Sequence, residues 1–468
     1  MRPSILLTII VAFSCGCRGE RPAAAAPQAA SSAGFRDVPI GLCEDHPPES
    51  TSEERLREDF RALERAGVRL LRVSFGWDDL EPERDRYDFG PVDQALRVAA
   101  EFGVRLIPYV CYTPPWLAPK SAAPNEVYRS APSDVGEFEQ LMELLATRYR
   151  GRFGSWELWN EPDNREYWLG TTAEYAALVA AGSRGVKRGD PRARVVLGGI
   201  AGRLDFLEEL LTKHDVASHV DVVNLHSYAE TWNAEPLEGI SDYLERAAEL
   251  VRDHGEGEPL WLAEVGYSSF RRESFVSEWY TARFDFEHTQ AFQGSVLLRV
   301  LAMARAAPAV ELVAWYELRD LPPGTEVIGD HNNRHLGVLD ASGQPKPAWA
   351  ALTRALPLLS GPLRPITVRV RASSKEAASR IEARAFQRAD GQCLVVAWLA
   401  TQRLSVPPSP ARARFALNVS SSPGTARVFD AVGELSSELA YDARAPVVTS
   451  ELALSPEQTK VIVIDGCQ

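Results

Sequence analysis

From residue 38 to residue 317, short apolar runs alternate along the chain with longer stretches of amphipathic spacing. A short run rich in β-branched and aromatic residues predicts a buried strand, and apolar residues spaced by three and four predict a helix. Strands and helices that alternate in this way are typical of a parallel sheet covered by helices. We predict eight strands, at residues 38–43, 69–77, 104–111, 155–161, 194–200, 221–228, 260–266 and 311–317.

Local signals at the helix starts agree with this alternation. Thr51 stands three residues before Glu54, and Thr171 three before Glu174, which predicts two capping boxes. Eight βα units in about 320 residues predict an α/β fold, a (β/α)8 TIM barrel over residues 36–358. A doubly wound open sheet is the alternative, but no glycine-rich nucleotide loop follows the first predicted strand.

The pattern changes behind the eighth strand, where short β-rich runs are separated by turn residues. Six or seven such strands predict a C-terminal all-β sandwich domain over residues 359–468. Cys393 and Cys467 both fall in predicted strands of this domain, so they are the first pair to test for a disulfide in an exported protein. Cys43 and Cys111 could equally be buried free thiols, and no cysteine spacing indicates a metal site.

The N-terminal residues indicate export rather than a folded element. An arginine precedes an apolar run from Ile5 to Phe13, the pattern of a secretory signal peptide, and this run is too short to cross a bilayer. The small residues around Cys15 and Cys17 resemble a bacterial lipoprotein cleavage site, although the usual leucine three residues before the cysteine is missing. Ordinary cleavage near the alanine-rich segment is the alternative. We predict a signal peptide of the lipoprotein type at residues 1–17 and a disordered Ala/Pro-rich tether at 18–35.

The predicted location is therefore the bacterial envelope, in the periplasm or on the outer surface, with a lipid anchor. Charge argues against nucleic acid as a partner, because the formal net charge is −13 and a nucleic-acid binder needs a basic surface. We expect contact with a membrane only through the N-terminal anchor. The 11 Trp and 13 Tyr residues provide rings that could stack on a ligand, although most aromatic residues of any globular protein belong to the core.

Two glutamates stand where predicted strands end. Glu161 follows the apolar residues of the fourth strand and precedes Pro162, which cannot continue a central strand. The seventh strand leads to Glu264 in the same way, and Gly266 then permits a turn. The carboxyl ends of barrel strands meet in the catalytic mouth, so the two carboxylates could face each other there. Asn160 offers a neutral donor and acceptor for a hydroxyl-rich ligand.

A facing pair of carboxyl groups is what the cleavage of a glycosidic bond requires. One group protonates the departing oxygen, while the other attacks the anomeric carbon or activates water. A separation of roughly 5 Å leaves no room for water and implies a covalent intermediate with net retention of configuration. This chemistry needs no cofactor. His331 and His335 lie four residues apart among loop-forming residues, without the glutamate of a zincin between them, so we expect no metal.

The motifs around these glutamates resemble those of glycoside hydrolase clan A. The resemblance rests on Trp159-Asn-Glu-Pro-Asp163, His226-Ser-Tyr228 and Leu262-Ala-Glu-Val-Gly266, on predicted strands four, six and seven. With Leu197-Gly-Gly199 after strand five, the chain is most similar to family 39 and related cellulase-like glycosidases. The combination is more specific than any single motif. It covers about residues 38–355, and similar proteins often end in a β-sandwich.

The resemblance assigns roles to four side chains. It implies Glu161 as the acid/base and Glu264 as the nucleophile, with Asn160 binding the hydroxyl next to the anomeric carbon. Arg72 on the second predicted strand matches the arginine that keeps the nucleophile ionised. An adjacent cation lowers a carboxyl pKa, so electrostatics alone predicts the same effect. An ordinary buried ion pair is the alternative role of Arg72.

Further substrate-binding residues follow from the resemblance and from position. By resemblance, His226 and Tyr228 would orient and hydrogen-bond the two carboxylates, and Trp315 on strand eight would form a stacking floor for the sugar. By position, Trp77 and Trp116 follow predicted strands and could line subsites. For each of the three tryptophans, packing in the protein core is the alternative.

These observations predict a retaining glycoside hydrolase that cleaves β-glycosidic bonds of an oligosaccharide or polysaccharide by double displacement. A non-hydrolytic carbohydrate-binding lipoprotein on the same fold is the first alternative, and a structural envelope lipoprotein is the second. Sugar identity depends on loop geometry, so β-xylosides, β-glucans and a self-produced exopolysaccharide are all compatible with the sequence.

Overall fold

The computed structural model describes residues 34–48, 50–232, 236–271, 282, 284–324, 331–400, 409–421, 424–433, 435–442 and 446–467. The predicted signal peptide lies outside the described residues, as does the predicted tether up to residue 33. Both stay predictions. Within these ranges, no helix combines the length and the apolar character needed to span a bilayer.

The first sheet is a closed barrel of parallel strands, so the predicted α/β fold is confirmed. Its eight strands are β1 (Ile40–Cys43), β2 (Leu70–Gly76), β3 (Arg105–Cys111), β4 (Ser155–Leu158), β5 (Arg194–Leu197), β6 (Val223–Ser227), β7 (Leu260–Val265) and β8 (Val310–Tyr316). Strands consecutive in sequence are neighbours, and β1 also pairs with β8. Parallel bridges from Val196 to Val222 and from Ile200 to Leu225 join β5 to β6 and close the ring. Each strand lies where the hydrophobic pattern predicted it.

Helices cover the outside of the barrel. They are α1 (Glu53–Ala66), α2 (Trp77–Leu80), α3 (Gly90–Glu101), α4 (Val135–Arg148), α5 (Thr172–Gly189), α6 (Leu204–Lys213), α7 (Gly239–His254), α8 (Gln290–Ala306) and α9 (Pro347–Leu359). The predicted capping box of α5 is confirmed, since the Thr171 hydroxyl accepts from the Glu174 amide and the Glu174 carboxylate accepts from the Thr171 amide. The prediction at Thr51 is wrong by one residue, because Ser52 caps α1 and its hydroxyl accepts from the amide of Arg55.

Strand alternation divides the apolar barrel residues between two cores. An inner cluster without helix residues fills the barrel; it contains Cys43, Leu70, Ile107, Val196, Val222, Trp261, Ala263, Leu312 and Ala314. A larger outer cluster lies between the strands and the helices and includes Val313 and Trp315 of β8. Neighbouring positions of one strand therefore face different surroundings.

The C-terminal part is all-β, as predicted, but its strand count differs. Ten strands are described, against six or seven predicted: β9 (Leu363–Ile366), β10 (Val368–Ala372), β11 (Ile381–Arg388), β12 (Cys393–Leu399), β13 (Ala411–Leu417), β14 (Gly424–Phe429), β15 (Leu435–Asp442), β16 (Val447–Thr449), β17 (Leu452–Leu454) and β18 (Lys460–Ile464). A short helix, α10 (Lys375–Ser379), precedes β11. β16 and β17 have three residues each, too few for an alternating pattern to stand out.

The C-terminal strands are antiparallel and follow the order β10-β13-β16-β15-β14-β18-β12-β11-β9, with β17 beside β13. The sheet curls, because β12 and β13 are not neighbours and yet contribute to one core cluster. Cys393 on β12 and Cys467 after β18 form the predicted disulfide, with their Cα atoms 5.7 Å apart. Cys43 and Cys111 are buried free thiols.

The C-terminal sheet packs against the helices of the barrel. Arg299 of α8 is fully buried and donates to the hydroxyl of Thr459 at 3.0 Å and to the carbonyl of Pro456 at 2.8 Å. The indole of Trp398 on β12 donates to Glu238, the residue before α7, at 3.1 Å. The sheet therefore braces α7 and α8, which flank β7.

Candidate active site

The polar residues of the site lie at the carboxyl ends of the barrel strands. β4 ends at Leu158, three residues before the end that the sequence predicts, and the chain then turns sharply. Trp159 and Glu161 take positive φ angles of 79° and 42°, which are uncommon for residues with a side chain. This turn, rather than a continuing strand, presents Asn160 and Glu161 in the barrel mouth.

Arg72 of β2 is the central cation of the site. It is 1% exposed, and its Nε and Nη2 atoms donate to the carboxylate of Glu157 at 2.8 and 2.9 Å. Nη1 donates to Glu264 at 2.8 Å, and Nη2 also donates to Oδ1 of Asn160 at 2.7 Å. The guanidinium lies over the ring of Tyr109, 4.1 Å from its centroid. Because Arg72 occupies Oδ1 of Asn160, the amide nitrogen of that side chain is left to donate to a ligand.

Glu264 is the more strongly stabilised of the two predicted catalytic carboxylates. The hydroxyl of Tyr228 donates to its Oε1 atom, and Arg72 binds Oε2. Burial raises the pKa of Glu264, while Arg72 acts against that rise. The hydrogen bond from Tyr228 also favours the ionised form.

Among the residues that the structure describes, the direct partners of Glu161 are neutral groups. Nδ1 of His226 lies 3.0 Å from Oε1, and the side-chain amide of Asn164 donates to Oε2 at 2.8 Å. Burial raises the pKa of Glu161 to about 7. One oxygen of Glu161 and one of Glu264 lie within 4.8 Å of each other. The structure thus brings the two carboxyl groups together and gives them different surroundings.

The tautomer of His226 follows from its neighbour Asn224. Oδ1 of Asn224 accepts from the amide of Ala263 at 3.1 Å, which turns the NH2 group toward Glu157 and toward Nε2 of His226, at 3.0 and 3.5 Å. Since Nε2 faces a donor, the imidazole proton is assigned to Nδ1, which donates to Glu161. Burial lowers the pKa of His226, so the ring is neutral near pH 7.

Two sets of described residues bring three possible metal ligands together. They are Glu161 with His226 and Glu264, and Glu44 with His46 and Asp59. In the first set, the tautomer of His226 directs an N–H group rather than a lone pair at the carboxylates. In the second set, Arg55 and Arg319 already donate to the two oxygens of Asp59, so guanidinium groups take the place of a cation. Neither set gives reason to assign a metal.

Two glycines after β5 make room for the site. A Cβ atom at Gly199 would overlap the imidazole ring of His226. A Cβ atom at Gly198 would lie 2.7 Å from the carbonyl oxygen of Leu158 and 2.8 Å from the hydroxyl of Tyr175. These glycines therefore allow β5 to approach the ends of β4 and β6 closely.

The structure corrects the prediction for Trp315. Its side chain is fully buried in the outer core, so it cannot form a floor for a sugar. The next residue, Tyr316, is half-buried, packs against the inner cluster and lies with its ring centroid 6.1 Å from that of Tyr228. Alternation along β8 is the reason, because Leu312 and Ala314 face inward and the next inward position is 316.

The contacts described for the other two predicted rings, Trp77 and Trp116, are with residues other than Glu161 and Glu264. Trp77 is fully buried, donates from Nε1 to the carboxylate of Glu81 at 2.9 Å and packs on Phe138, which contradicts the prediction that it lines a subsite. Trp116 is half-buried, and its Nε1 donates to the carbonyl of Glu81 at 2.8 Å. The guanidinium of Arg84 lies over its ring, 5.1 Å from the centroid. A role of Trp116 in substrate binding stays a prediction.

The hydrophobic pattern does not single out Glu157 and Asn224, which join Arg72 to His226. Both are fully buried inside the barrel. One signal could have found them: each is a polar residue within a short apolar strand, and a buried polar group needs partners on other strands.

Comparison with known proteins supports the resemblance. The model of the family described as glycosyl hydrolases family 39 matches residues 47–251, which include Arg72, Glu161 and His226 but not Glu264. A β-galactosidase of Haloferax lucentense is 28% identical over 144 residues, 26% of this chain and 21% of that protein. The chain therefore matches only about a fifth of the length of that curated relative.

Two solved structures share the fold. A family 39 glycoside hydrolase from Bacteroides cellulosilyticus has a TM-score of 0.67 at 17% identity, over 92% of this chain and 81% of that chain. A monomeric β-xylosidase from Caulobacter crescentus has a TM-score of 0.63 at 17% identity, over 92% of this chain and 97% of that chain. The protein thus resembles the glycosyl hydrolases of family 39, both in the sequence of residues 47–251 and in the fold of its barrel and C-terminal sheet.

Proposed function

We propose that the protein is a retaining glycosidase that cleaves β-glycosidic bonds of an oligosaccharide or polysaccharide. The observation that carries the proposal is the approach of Glu161 and Glu264, whose nearest oxygens lie within 4.8 Å. Retaining enzymes hold their two carboxyl groups about 5 Å apart, whereas inverting enzymes need roughly 6.5 Å or more to admit a water molecule. The spacing therefore favours double displacement.

In the first step, protonated Glu161 gives its proton to the glycosidic oxygen as the bond to the departing sugar breaks. The carboxylate of Glu264 attacks the anomeric carbon and forms the glycosyl-enzyme ester. Burial suits Glu161 for this role, because a pKa of about 7 keeps much of it protonated near neutral pH. Arg72 and Tyr228 stabilise the carboxylate of Glu264 before the attack.

In the second step, Glu161 is ionised and takes a proton from water, which attacks the anomeric carbon and releases Glu264. The Nδ1–H group of His226 points at Oε1 of Glu161 and stabilises the charge that this carboxylate gains in the first step. Asn160 is placed to donate to the hydroxyl next to the anomeric carbon, because Arg72 fixes its amide orientation.

The proposed substrate is a neutral β-glycoside. The relatives described above are named as a β-galactosidase and a β-xylosidase, which supports β-linked neutral sugars as the first compounds to test. We also propose export to the bacterial envelope with an N-terminal lipid anchor, on the pattern of residues 1–17 alone. Labelling of cells with a radioactive fatty acid tests the anchor; an unlabelled protein would contradict it.

The activity test uses p-nitrophenyl β-xyloside and β-galactoside, with the configuration of the first product followed by NMR. We expect a β-configured product, and a 2-deoxy-2-fluoro glycosyl fluoride should add one sugar mass to a peptide that contains Glu264. Glu264→Gln should abolish turnover and labelling. Glu311→Gln is the matched control, since Glu311 lies at the other end of β8 and is partly exposed.

The outcomes separate the alternatives. An α-configured first product would refute retention. Sugar binding without any product, unchanged by Glu264→Gln, would instead identify a non-hydrolytic carbohydrate-binding protein.

A further inference from the structure

β1 leads to a carboxylate that the proposed mechanism does not use. Asp45 follows Cys43 by two residues, and the thiol of Cys43 faces the barrel interior, where it donates to the carbonyl of Ala263 at 3.1 Å. β1 ends at Cys43, and Asp45 follows it at the mouth end of the strand. The hydroxyl of Tyr109 donates to Oδ1 of Asp45 at 2.9 Å, and the ring of this tyrosine carries Arg72 on its face. Asp45 is thus next to the arginine network that holds the nucleophile.

The charges of Asp45 and Glu264 both act on two tyrosines, Tyr167 and Tyr316. Burial raises the pKa of Tyr167, and the charges of Glu264 and Asp45 are among those that raise it further. Burial also raises the pKa of Tyr316, where the charges of Asp45 and Glu264 act as well. Both phenols are half-buried. The contacts agree with this, because Tyr109 binds Asp45 through its hydroxyl and carries on its ring the guanidinium that binds Glu264.

Asp45 has no cation of its own in the part of the chain that the structure describes. Arg72 is bound by two glutamates, Arg319 by an aspartate of α1, and Lys346 by the aspartate that follows β8. Asp45 is half-buried, and the hydroxyl of Tyr109 occupies one of its oxygens. A carboxylate accepts about four hydrogen bonds, so Asp45 keeps capacity for ligand hydroxyl groups.

Two further acids flank Asp45 at the ends of β1 and β8. Glu44 and Glu317 are 4% and 1% exposed, and Oε1 of Glu317 has no hydrogen-bond partner among the described residues. Burial raises the pKa of Glu317 well above its usual range, and the charges of Glu44 and Asp45 add to this rise. Burial also raises the pKa of Glu44 well above its usual range, so both flanking acids favour the protonated, uncharged form. The carboxylate of a uronic acid would meet like charge on this wall at Asp45.

We propose that Asp45 is a specificity-determining residue that accepts hydrogen bonds from hydroxyl groups of the sugar bound over Glu264, so that the site takes neutral glycosides and rejects uronic acids. This inference rests on the proposed function. Hydrogen bonds to a carboxylate are about twice as strong as those between neutral groups. A site built to bind a substrate hydroxyl discriminates strongly against an analogue without it, because its own acceptor is then left unpaired.

The test compares wild type, Asp45→Asn and the exposed control Asp253→Asn on the p-nitrophenyl β-xyloside, β-galactoside and β-glucuronide. We expect wild type to prefer the better neutral substrate over the glucuronide by at least about 100-fold in kcat/KM. Asp45→Asn should lower kcat/KM on the neutral substrates about 100-fold, with a raised KM, and should shrink the preference over the glucuronide at least about tenfold. Asp253→Asn, on α7, should change neither value.

Substrates that lack one hydroxyl group distinguish a direct hydrogen bond to Asp45 from an indirect effect of the substitution on the structure of the site. If Asp45 binds a given hydroxyl, removing that hydroxyl from the xyloside should lower kcat/KM about 100-fold with wild type. The same change should lower kcat/KM about tenfold or less with Asp45→Asn. Equal losses for both proteins on every deoxy compound, or an unchanged glucuronide preference, would refute the proposal while leaving the glycosidase intact. Should the variant not fold, a wild type that hydrolyses the glucuronide as fast as the xyloside would refute it too. A wild type inactive on all glycosides would instead refute the proposed function itself.

Discussion

Replacing Glu161 by glutamine is expected to change how stability depends on pH, and not only to stop turnover. Burial raises the pKa of Glu161 from its ordinary value of 4.5 to about 7. Between these two pH values the folded protein keeps a proton that the unfolded chain has released. Unfolding then releases a proton, so the free energy of unfolding contributed by this group is fully present below pH 4.5 and is lost as the pH rises through 7.

The magnitude follows from the size of that rise. A difference of 1 in pKa corresponds to about 1.4 kcal/mol, so wild type should lose about 3 kcal/mol of stability through Glu161 between pH 4.5 and pH 8. Glutamine does not titrate. Glutamine has one oxygen and one NH2 group, so its NH2 group must face the N–H donor of either His226 or Asn164. The lost hydrogen bond lowers the free energy of unfolding by about 1 kcal/mol at every pH. Glu161→Gln should therefore be about 1 kcal/mol less stable than wild type at pH 4.5 and about 2 kcal/mol more stable at pH 8.

The assay is urea unfolding followed by tryptophan fluorescence at pH 4.5, 6 and 8, for wild type, Glu161→Gln and Glu311→Gln. The comparison of variant with wild type cancels the contribution of titrating groups that do not interact with Glu161. Glu264 does interact, because the charge of Glu161 raises its pKa, and the loss of that charge should add to the stability of the variant at pH 8. Glu311→Gln is the matched control for a glutamate-to-glutamine change at the other end of β8. A constant difference between Glu161→Gln and wild type across the pH range would show that burial does not raise the pKa of Glu161, and would refute the reasoning.

Three further predictions concern residues that position the catalytic groups or stabilise the fold. Gly199→Ala should displace the ring of His226 and lower kcat about 100-fold in assays on aryl glycosides, with the fold retained by circular dichroism. Arg72→Lys should lose the planar fork that joins two buried glutamates, lowering kcat/KM by at least about 100-fold and the free energy of unfolding by roughly 3 kcal/mol in urea titrations. The double variant Cys393→Ser, Cys467→Ser should lose up to about 4 kcal/mol of stability, because the disulfide spans 74 residues, while kcat/KM stays within about twofold of wild type.

Each of these predictions has a control or a contradicting result. Gly154→Ala adds a Cβ atom that meets nothing within 4 Å, and it should leave kcat unchanged. Wild-type activity of Gly199→Ala would mean that the position of the histidine ring does not matter. Full stability of Arg72→Lys would contradict the description of a fully paired buried cation. A large loss of activity in the cysteine variant would show that the C-terminal sheet supports the site and not only the fold.

The hydrophobic pattern alone determined the eight barrel strands and their order. A parallel barrel strand is buried on both faces, so it appears as a short apolar run, and the helices between such runs have their own spacing. The same pattern isolated Glu161 and Glu264, because a carboxylate at the end of an apolar run stands out. The disulfide between Cys393 and Cys467 could also be proposed from their positions in predicted strands.

Only the tertiary structure decided which side of each strand faces the site. When both faces of a strand are apolar, the sequence does not show which residues point into the barrel. The prediction therefore placed Trp315 at the barrel mouth, whereas Tyr316 borders it. The polar contacts that join Arg72, Glu157 and Asn224 connect strands far apart in sequence, so no local pattern contains them. The raised pKa of Glu161 likewise arises from burial by the assembled barrel, a property that the residue has only after folding.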